Sequence, residues 1–162
     1  MTAVDEVTGV TFELNGAEAT LRVPVRRTLA DALRDSAGLT GTHLGCEHGV
    51  CGACTVLLDG EPVRSCLMLA MQAQGRSVRT IESLSRNGEL HPVQRAFREH
   101  HALQCGFCTP GFIMLATGLL EREPDASQER VREVLAGNLC RCTGYEGMLA
   151  AVRIAAAEAA GG

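Results

Sequence analysis

The eight cysteines of this 162-residue chain constrain its fold more than any other feature. Whether cysteines form disulfides or bind metal depends on the cellular compartment. The N-terminal segment is acidic and lacks the basic and then apolar layout of a secretory signal. The pair Arg26-Arg27 is followed by charged residues in the pattern of an amphipathic helix, which argues against a twin-arginine export signal. We therefore expect a cytoplasmic protein whose cysteines stay reduced and bind metal.

Four cysteines form an N-terminal quartet with the spacing C-x4-C-x2-C-x11-C, namely Cys46, Cys51, Cys54 and Cys66. Structural zinc sites usually use two short knuckles, each with one pair of ligands. Three cysteines on one loop with a remote fourth are instead typical of a plant-type 2Fe–2S cluster. Glycines in this loop allow backbone N–H groups to turn toward sulfur without a side chain in the way. The spacing therefore predicts a 2Fe–2S cluster.

The other four cysteines form a C-terminal quartet of two close pairs, namely Cys105, Cys108, Cys140 and Cys142. Two such pairs can hold zinc as well as an iron–sulfur cluster, so their spacing alone leaves both possibilities open. The first pair opens a predicted helix and the second pair follows another. Exposed N–H groups at helix ends favour anionic thiolates and cluster sulfides. A second 2Fe–2S cluster is thus favoured, and every cysteine belongs to one quartet.

The N-terminal half reads as strands with one helix packed across them. Apolar residues alternate from Val10 to Leu14 and again from Leu21 to Val25, and Asn15-Gly16 between them is a hairpin turn signal. Thr28 can cap a short helix with Leu29, Ala32 and Leu33 on its apolar face. Two more strands are expected, at 54–58 and 77–81. This half therefore predicts a small mixed sheet.

The C-terminal half reads as four short helices. Helices are expected to begin at Pro92, at the cap Thr109-Pro110, after the cap Ser127, and near Gly147. The segment 82–89 contains Asn87-Gly88 and reads as a linker, which divides the chain into domains 1–82 and 83–162. The fold class is therefore α+β, a mixed sheet followed by a four-helix bundle. Each half is small enough for a metal centre to add needed stability.

Composition and charge exclude several function classes. Fifteen Lys and Arg against nineteen Asp and Glu give a net charge of −4, which argues against binding to nucleic acid. No segment approaches the roughly eighteen consecutive apolar residues of a membrane span. The sequence contains no nucleophile–base pair, no phosphate-binding loop and no pair of carboxylates placed for catalysis. No catalytic residue is therefore predicted. The histidines are expected to face solvent or to form local hydrogen bonds, since cysteines complete both quartets.

Three segments resemble one known family, the iron–sulfur subunit of the xanthine-oxidase-type molybdenum hydroxylases. They are GCEHGVCGAC at 45–54, QCGFCTPG at 104–111 and NLCRCTGY at 138–145. The resemblance is to the separate small subunits of aerobic carbon monoxide dehydrogenase and of bacterial N-heterocycle, aldehyde and aryl-CoA oxidoreductases. It covers residues 7–156, and none of the eight cysteine positions departs from the family pattern.

The resemblance implies a β-grasp, plant-type ferredoxin-like domain followed by a four-helix domain, each with one 2Fe–2S cluster. It implies that the cluster of the C-terminal quartet lies beside the molybdopterin of a large subunit. The cluster of the N-terminal quartet then faces the FAD of a medium subunit, in an (αβγ)2 assembly. Electrons pass from molybdenum through the helical-domain cluster and the ferredoxin-type cluster to flavin. Gln104 matches the family position whose side chain contacts the molybdopterin.

Two alternative functions stay open at the level of the sequence. A free-standing two-cluster ferredoxin needs neither the helical bundle nor Gln104, and a zinc-stapled interaction module has no redox role. The substrate of the assembled enzyme cannot be read from this chain. Carbon monoxide, a purine, an N-heterocycle, an aldehyde or an aryl-CoA are all compatible, because another chain selects it.

Overall fold

A five-stranded mixed sheet forms the N-terminal half in the computed structural model, which describes residues 6–161. Its strands are β1 (Val7–Leu14), β2 (Ala17–Pro24), β3 (Thr55–Leu58), β4 (Glu61–Arg64) and β5 (Ser77–Arg79), in the spatial order β2-β1-β5-β3-β4. Strand β1 pairs antiparallel with β2 and parallel with β5. Strand β3 pairs antiparallel with both β4 and β5. The predicted mixed sheet is confirmed, with β4 as a strand that the sequence did not predict.

The hairpin of β1 and β2 forms where the alternating pattern predicts it. Asn15 and Gly16 both have positive φ angles, 55° and 87°, which a two-residue hairpin turn requires. The register pairs Leu14 with Ala17 across this turn. Val10 and Phe12 point into the core of the sheet, where they are almost fully buried.

A short helix, α1 (Leu29–Asp31), packs across the sheet and continues as one π-helical turn, Ala32–Ser36. The Thr28 hydroxyl accepts a 3.1 Å hydrogen bond from the Asp31 N–H, so the predicted cap is confirmed. The apolar face contributes its buried leucines to the core beneath the sheet. This sheet with a helix across it is the β-grasp arrangement that the resemblance implies.

The four helices of the C-terminal half are α2 (Pro92–Glu99), α3 (Thr109–Arg122), α4 (Gln128–Leu135) and α5 (Glu146–Gly161). Pro92 is the first residue of α2, and the Ser127 hydroxyl caps α4 by accepting from the Arg130 N–H. The predicted cap of α3 was misplaced by one residue. Thr109 is already helical and Cys108 occupies the N-cap position, with no side-chain capping bond. None of the helices in the described part of the chain is long and apolar enough to cross a membrane.

The two halves share a continuous apolar boundary rather than a free linker. Leu57 of β3 belongs to the core of the helical half. Leu84, inside the predicted linker 82–89, is buried in that same core, so this segment packs against the helical half. The Arg79 guanidinium donates two 2.9 Å hydrogen bonds to the Glu121 carboxylate across the boundary. The mutual position of the halves is therefore fixed by packing and by ion pairs.

Candidate metal centres

The loop of residues 41–54 carries the first three predicted ligands and has no regular secondary structure. The Cys51 N–H donates to the Cys46 Sγ at 3.3 Å. This hydrogen bond, helped by the backbone of His48, lowers the pKa of the Cys46 thiol to about 6. The loop therefore favours the thiolate form at Cys46, which is the form that binds metal.

Cys54 and Cys66 lie at the buried base of the same loop. Ser65, between β4 and Cys66, donates from its hydroxyl to the Cys54 carbonyl oxygen at 2.7 Å, which fixes the two cysteines side by side. Burial, together with the neighbouring Cys54, raises the pKa of the Cys66 thiol to about 11. The N-terminal quartet thus consists of an outer pair, Cys46 and Cys51, and an inner pair, Cys54 and Cys66.

The C-terminal quartet is also arranged in two pairs, one of which is half-buried. Burial and contact with Cys140 raise the pKa of the Cys108 thiol to about 12. Burial opposes ionisation of Cys140 as well, but Thr143 donates to its Sγ from the hydroxyl at 3.1 Å and from the backbone N–H at 3.4 Å. These hydrogen bonds outweigh burial and lower the pKa of Cys140. Cys108 and Cys140 pack against the core of the helical half.

The second pair, Cys105 and Cys142, is exposed. Its two sulfur atoms lie 3.6 Å apart. Two thiolates bound 2.3 Å from one tetrahedral metal would be separated by about 3.8 Å, so this pair already has the spacing of ligands to a shared ion. The Gln104 side chain donates from Nε2 to the Cys142 carbonyl oxygen at 3.0 Å. Gln104 therefore lies at the rim of the exposed pair.

All eight cysteines are free, and they meet two by two. Among residues 6–161, no three His, Cys, Asp or Glu side chains are grouped to hold one metal ion. A single tetrahedral zinc ion needs four ligands around one point. A 2Fe–2S cluster bound by four cysteines instead takes one pair at each iron. The donor pairs therefore fit one 2Fe–2S cluster at each quartet better than one zinc ion.

Hydrogen bonds to nearby backbone groups are formed by two histidines close to the cysteine loops, His43 and His48, and by His91 at the start of α2. His43 Nδ1 lies 2.7 Å from the Phe107 carbonyl oxygen, and its ring stacks on the Phe107 ring at 5.2 Å. His48 Nδ1 lies 2.5 Å from the Cys46 carbonyl oxygen. The His91 side chain caps α2 by accepting from the Val93 N–H. Each histidine thus supports backbone near a loop or helix end.

The two cysteine-bearing regions touch directly. The Leu139 N–H donates to the Cys51 carbonyl oxygen at 2.9 Å, and the Asn138 Nδ2 donates to the Gly52 carbonyl oxygen at 3.1 Å. Leu139 precedes Cys140 in the chain. One hydrogen bond and a few covalent bonds therefore connect a ligand of the N-terminal quartet with a ligand of the C-terminal quartet.

Sequence reasoning missed two residues that hold these regions together. Arg64 reaches both cysteine-bearing regions from the end of β4, and Asn138 is fully buried between them. Asn138 lies inside a segment already singled out, so its identity as a buried polar residue beside a ligand was the available signal. Arg64 carried no such signal, because its partners lie up to 73 positions away in the chain.

Both halves match families of iron–sulfur domains. Residues 12–81 match the 2Fe-2S iron-sulfur cluster binding domain, and residues 80–153 match the 2Fe-2S binding domain. The chain is 60% identical to the nicotine 6-hydroxylase small subunit of Paenarthrobacter nicotinovorans, over 88% of this chain and 86% of that protein. It is 52% identical to the caffeine dehydrogenase subunit gamma of Pseudomonas sp. (strain CBB1), over 89% and 88%.

A solved structure has the same fold over nearly the whole chain. In quinoline 2-oxidoreductase from Pseudomonas putida 86, a chain with 52% identity superimposes with a TM-score of 0.91, covering 95% of this chain and 96% of that one. The expected α+β architecture and the expected family are both confirmed. The chain belongs to the family of 2Fe–2S iron–sulfur small subunits of the xanthine-oxidase-type molybdenum hydroxylases.

Proposed function

We propose that this chain is the electron-transfer subunit of a molybdenum-dependent dehydrogenase and binds two 2Fe–2S clusters. The ligands of the first are Cys46, Cys51, Cys54 and Cys66, and those of the second are Cys105, Cys108, Cys140 and Cys142. Each cluster, when bound, takes up and releases one electron at a time. The observation that carries the proposal is the hydrogen bond from the Leu139 N–H to the Cys51 carbonyl oxygen, which joins the two ligand sets.

The exposed pair of the C-terminal quartet supports an orientation for the transfer. Cys105 and Cys142 are exposed and open to a partner, whereas Cys108 and Cys140 are half-buried and pack against the core of the helical half. We propose that the exposed pair and Gln104 face the molybdopterin of a large subunit. Leu103, which precedes Gln104 in the chain, is an exposed apolar residue, as expected of a surface that a partner subunit covers.

The N-terminal quartet has its own exposed apolar surroundings. Val50 is 57% exposed and Leu67 is 63% exposed, and Leu67 lies against Gly49 of the cysteine loop. We propose that this surface faces the FAD of a medium subunit. With both clusters bound, electrons would pass from the molybdenum side through the cluster at the C-terminal quartet and then the cluster at the N-terminal quartet to flavin, within an (αβγ)2 assembly in the cytoplasm.

The substrate of the assembled enzyme is proposed to be an N-heterocycle. The relatives described above act, by their names, on nicotine, caffeine and quinoline, which share a nitrogen-containing ring. This chain contributes no group to that chemistry. Its residues hold the clusters, with domain 1–82 on the flavin side and domain 83–162 on the molybdenum side.

Metal analysis of the purified complex tests this proposal. We expect about four iron and four acid-labile sulfide per chain, since each of two clusters contains two of each. EPR spectra after dithionite reduction should contain two distinguishable signals, and subunits with molybdenum and FAD should copurify. Zinc without acid-labile sulfide would overturn the proposal and favour an interaction module that zinc stabilises and that has no redox role. A redox-active monomer that copurifies with neither partner would favour a free-standing ferredoxin.

A further inference from the structure

One guanidinium group binds three separate segments around the two quartets. Arg64 is the last residue of β4, and its side chain is half-buried. Its Nη1 donates to the Thr55 hydroxyl at 2.7 Å, and its Nη2 donates to the Gly137 carbonyl oxygen at 2.7 Å. Its Nε points to the Gly49 carbonyl oxygen at 3.4 Å. Arg64 therefore connects the N-terminal cysteine loop with the segment that leads to Cys140.

The hydrogen bonds of Arg64 continue into a buried network across the domain boundary. The Thr55 hydroxyl, which accepts from Arg64, donates to the Gly52 carbonyl oxygen at 2.6 Å. That oxygen also accepts from the Asn138 side chain, and both Thr55 and Asn138 are almost fully buried. The network therefore crosses the domain boundary twice, once from Arg64 to Gly137 and once from Asn138 to Gly52. Its members lie next to Cys51 in one region and next to Leu139 in the other.

The positive charge of Arg64 is not neutralised by an ion pair among the described residues. Within residues 6–161, no carboxylate lies within ion-pair distance of Arg64, although several other arginines pair with Asp or Glu: Arg27, Arg76, Arg79, Arg95, Arg122, Arg130 and Arg132. Carbonyl dipoles and one hydroxyl are its partners instead. A partly buried cation without a counter-ion is screened less by solvent than a surface ion pair. Its field therefore acts on the thiolates held by the same loops.

We propose that Arg64 is a positioning residue for electron transfer between the two clusters, and that its charge raises the reduction potential of the cluster at the N-terminal quartet. Net charge and hydrogen bonding near the sulfurs are two of the main determinants of cluster potential. Arg64 contacts Gly49 and Thr55 on the N-terminal side but only Gly137 on the other, so the N-terminal cluster is the more affected. This inference rests on the proposed function.

The test compares Arg64→Met and Arg64→Lys in the complete complex with its partner subunits. EPR-monitored redox titration gives the potential of each cluster, and the magnetic interaction between the reduced clusters reports their mutual position. We expect Arg64→Met to lower the potential of the N-terminal cluster and to weaken the interaction. Arg64→Lys should restore the potential but not the interaction, because an ammonium cannot reproduce the planar fork of a guanidinium.

Arg122→Met is the matched control. Arg122 also bridges the halves, since it pairs with Glu61 and binds the Gly118 carbonyl oxygen, but it lies at the opposite end of α3. A helix of 14 residues is about 21 Å long, so this arginine is remote from the quartets. Arg122→Met should leave both readouts unchanged. Equal shifts in Arg64→Met and Arg122→Met would overturn the inference, as would an unchanged potential in Arg64→Met.

A second variant keeps the inference testable if Arg64→Met does not assemble. Valine is similar in volume to threonine, so Thr55→Val leaves the packing and the charge of Arg64 in place. The substitution removes the hydroxyl that accepts from Arg64 and donates to the Gly52 carbonyl oxygen. We expect a weakened magnetic interaction with an unchanged potential, and an unchanged interaction would contradict the positioning role. Failure of the proposed function is recognised separately, because the wild-type complex would then lack two cluster signals.

Discussion

Gly111, in the first turn of α3, lies so close to Gly52 that a Cβ atom on it would be 2.4 Å from the Gly52 carbonyl oxygen. The Ala53 backbone would be only about 3.0 Å away. Both neighbours are main-chain atoms of the N-terminal cysteine loop and cannot rotate aside. The approach of the two domains therefore depends on the absence of a side chain at position 111.

We expect Gly111→Ala to lower the free energy of unfolding of the complex by about 1–3 kcal/mol, the usual cost of overpacking. It should also weaken the magnetic interaction between the clusters, because the loops must move apart. Thermal unfolding and EPR measure the two effects. Gly9→Ala is the control, since a Cβ there would meet only Thr20 at an ordinary 3.6 Å. Equal stability of the two variants would contradict this account of the boundary.

The hydroxyl of Thr143 is expected to set the potential of the helical-domain cluster. It donates to the Cys140 Sγ, and hydrogen bonds to cluster sulfurs stabilise the more negative, reduced state. Thr143→Val should therefore lower the potential of that cluster, and Thr143→Ser should restore it. Redox titration followed by EPR measures both.

Thr117→Val provides a buried control for the Thr143 variants. The Thr117 hydroxyl is buried in α3, and no hydrogen-bond partner for it exists within the described residues. Its removal should leave both potentials unchanged and the complex at least as stable. If Thr143→Val leaves the potential of the helical-domain cluster unchanged, the proposed influence of the hydroxyl is wrong.

Gln104 is expected to act on the molybdopterin side without holding a cluster. Its side chain binds the Cys142 carbonyl oxygen at the exposed rim, so its loss should leave both clusters in place. We expect Gln104→Ala to slow reduction of the clusters by substrate, or to weaken cofactor retention, by about 10-fold. Stopped-flow spectroscopy and molybdenum content measure these effects. Gln128→Ala, at the exposed start of α4, is the control, and identical rates and cofactor content in both variants would count against the assignment.

Protonation of His91 is expected to loosen the start of α2. Burial lowers the pKa of His91 below its ordinary value, outweighing the attraction of Glu121, and nearby arginines lower it further. The folded state therefore binds the proton less tightly than the unfolded state. The stability that the neutral ring provides is complete above the ordinary pKa of 6.5 and is lost as the pH falls below it.

Hydrogen exchange of the first-turn amides of α2 measures this loss. The Val93 N–H donates to the neutral His91 Nδ1, and a protonated ring cannot accept that bond. After correction for the intrinsic rate, exchange should be constant above about pH 6.5 and should increase as the pH falls below that value. His91→Asn keeps a capping side chain without a titratable group and should remove the pH dependence. The same pH dependence in His91→Asn would exclude His91 as its source.

Short-range patterns in the sequence were sufficient for much of the fold. The Asn15-Gly16 turn and the alternation on either side of it predicted the hairpin, and Thr28 and Ser127 predicted two helix starts. Strand β4 was missed because it is short and contains Pro62, a residue found in strands mainly at sheet edges. The edge position of β4 is consistent with that rule. It could not be inferred before the sheet order was known.

The pairing of the cysteines could not be derived from spacing. Cys105 meets Cys142 and Cys108 meets Cys140, so each pair combines one cysteine from before α3 with one from after α4. Such pairing depends on how the helices pack, and the sequence separation of the cysteines carries no information about it. The same is true of Leu84, whose burial depends on a core that lies mainly in the later helices.

Removing one ligand from each quartet tests the order of electron transfer. Cys105 belongs to the exposed pair on the proposed molybdenum side, and Cys46 belongs to the outer pair on the proposed flavin side. Cys46→Ser should leave substrate able to reduce the molybdenum centre and the helical-domain cluster but should stop reduction of FAD. Cys105→Ser should remove or disable the helical-domain cluster and leave both FAD and the N-terminal cluster oxidised.

Rapid-freeze EPR and flavin absorbance distinguish the two variants. Dithionite, which does not depend on the route from molybdenum, should still reduce the remaining cluster in each variant and serves as the internal control. If flavin were reduced by substrate at the normal rate in Cys46→Ser, the N-terminal quartet would not lie between the helical-domain cluster and FAD. Normal turnover in Cys105→Ser would likewise remove the helical-domain cluster from the route.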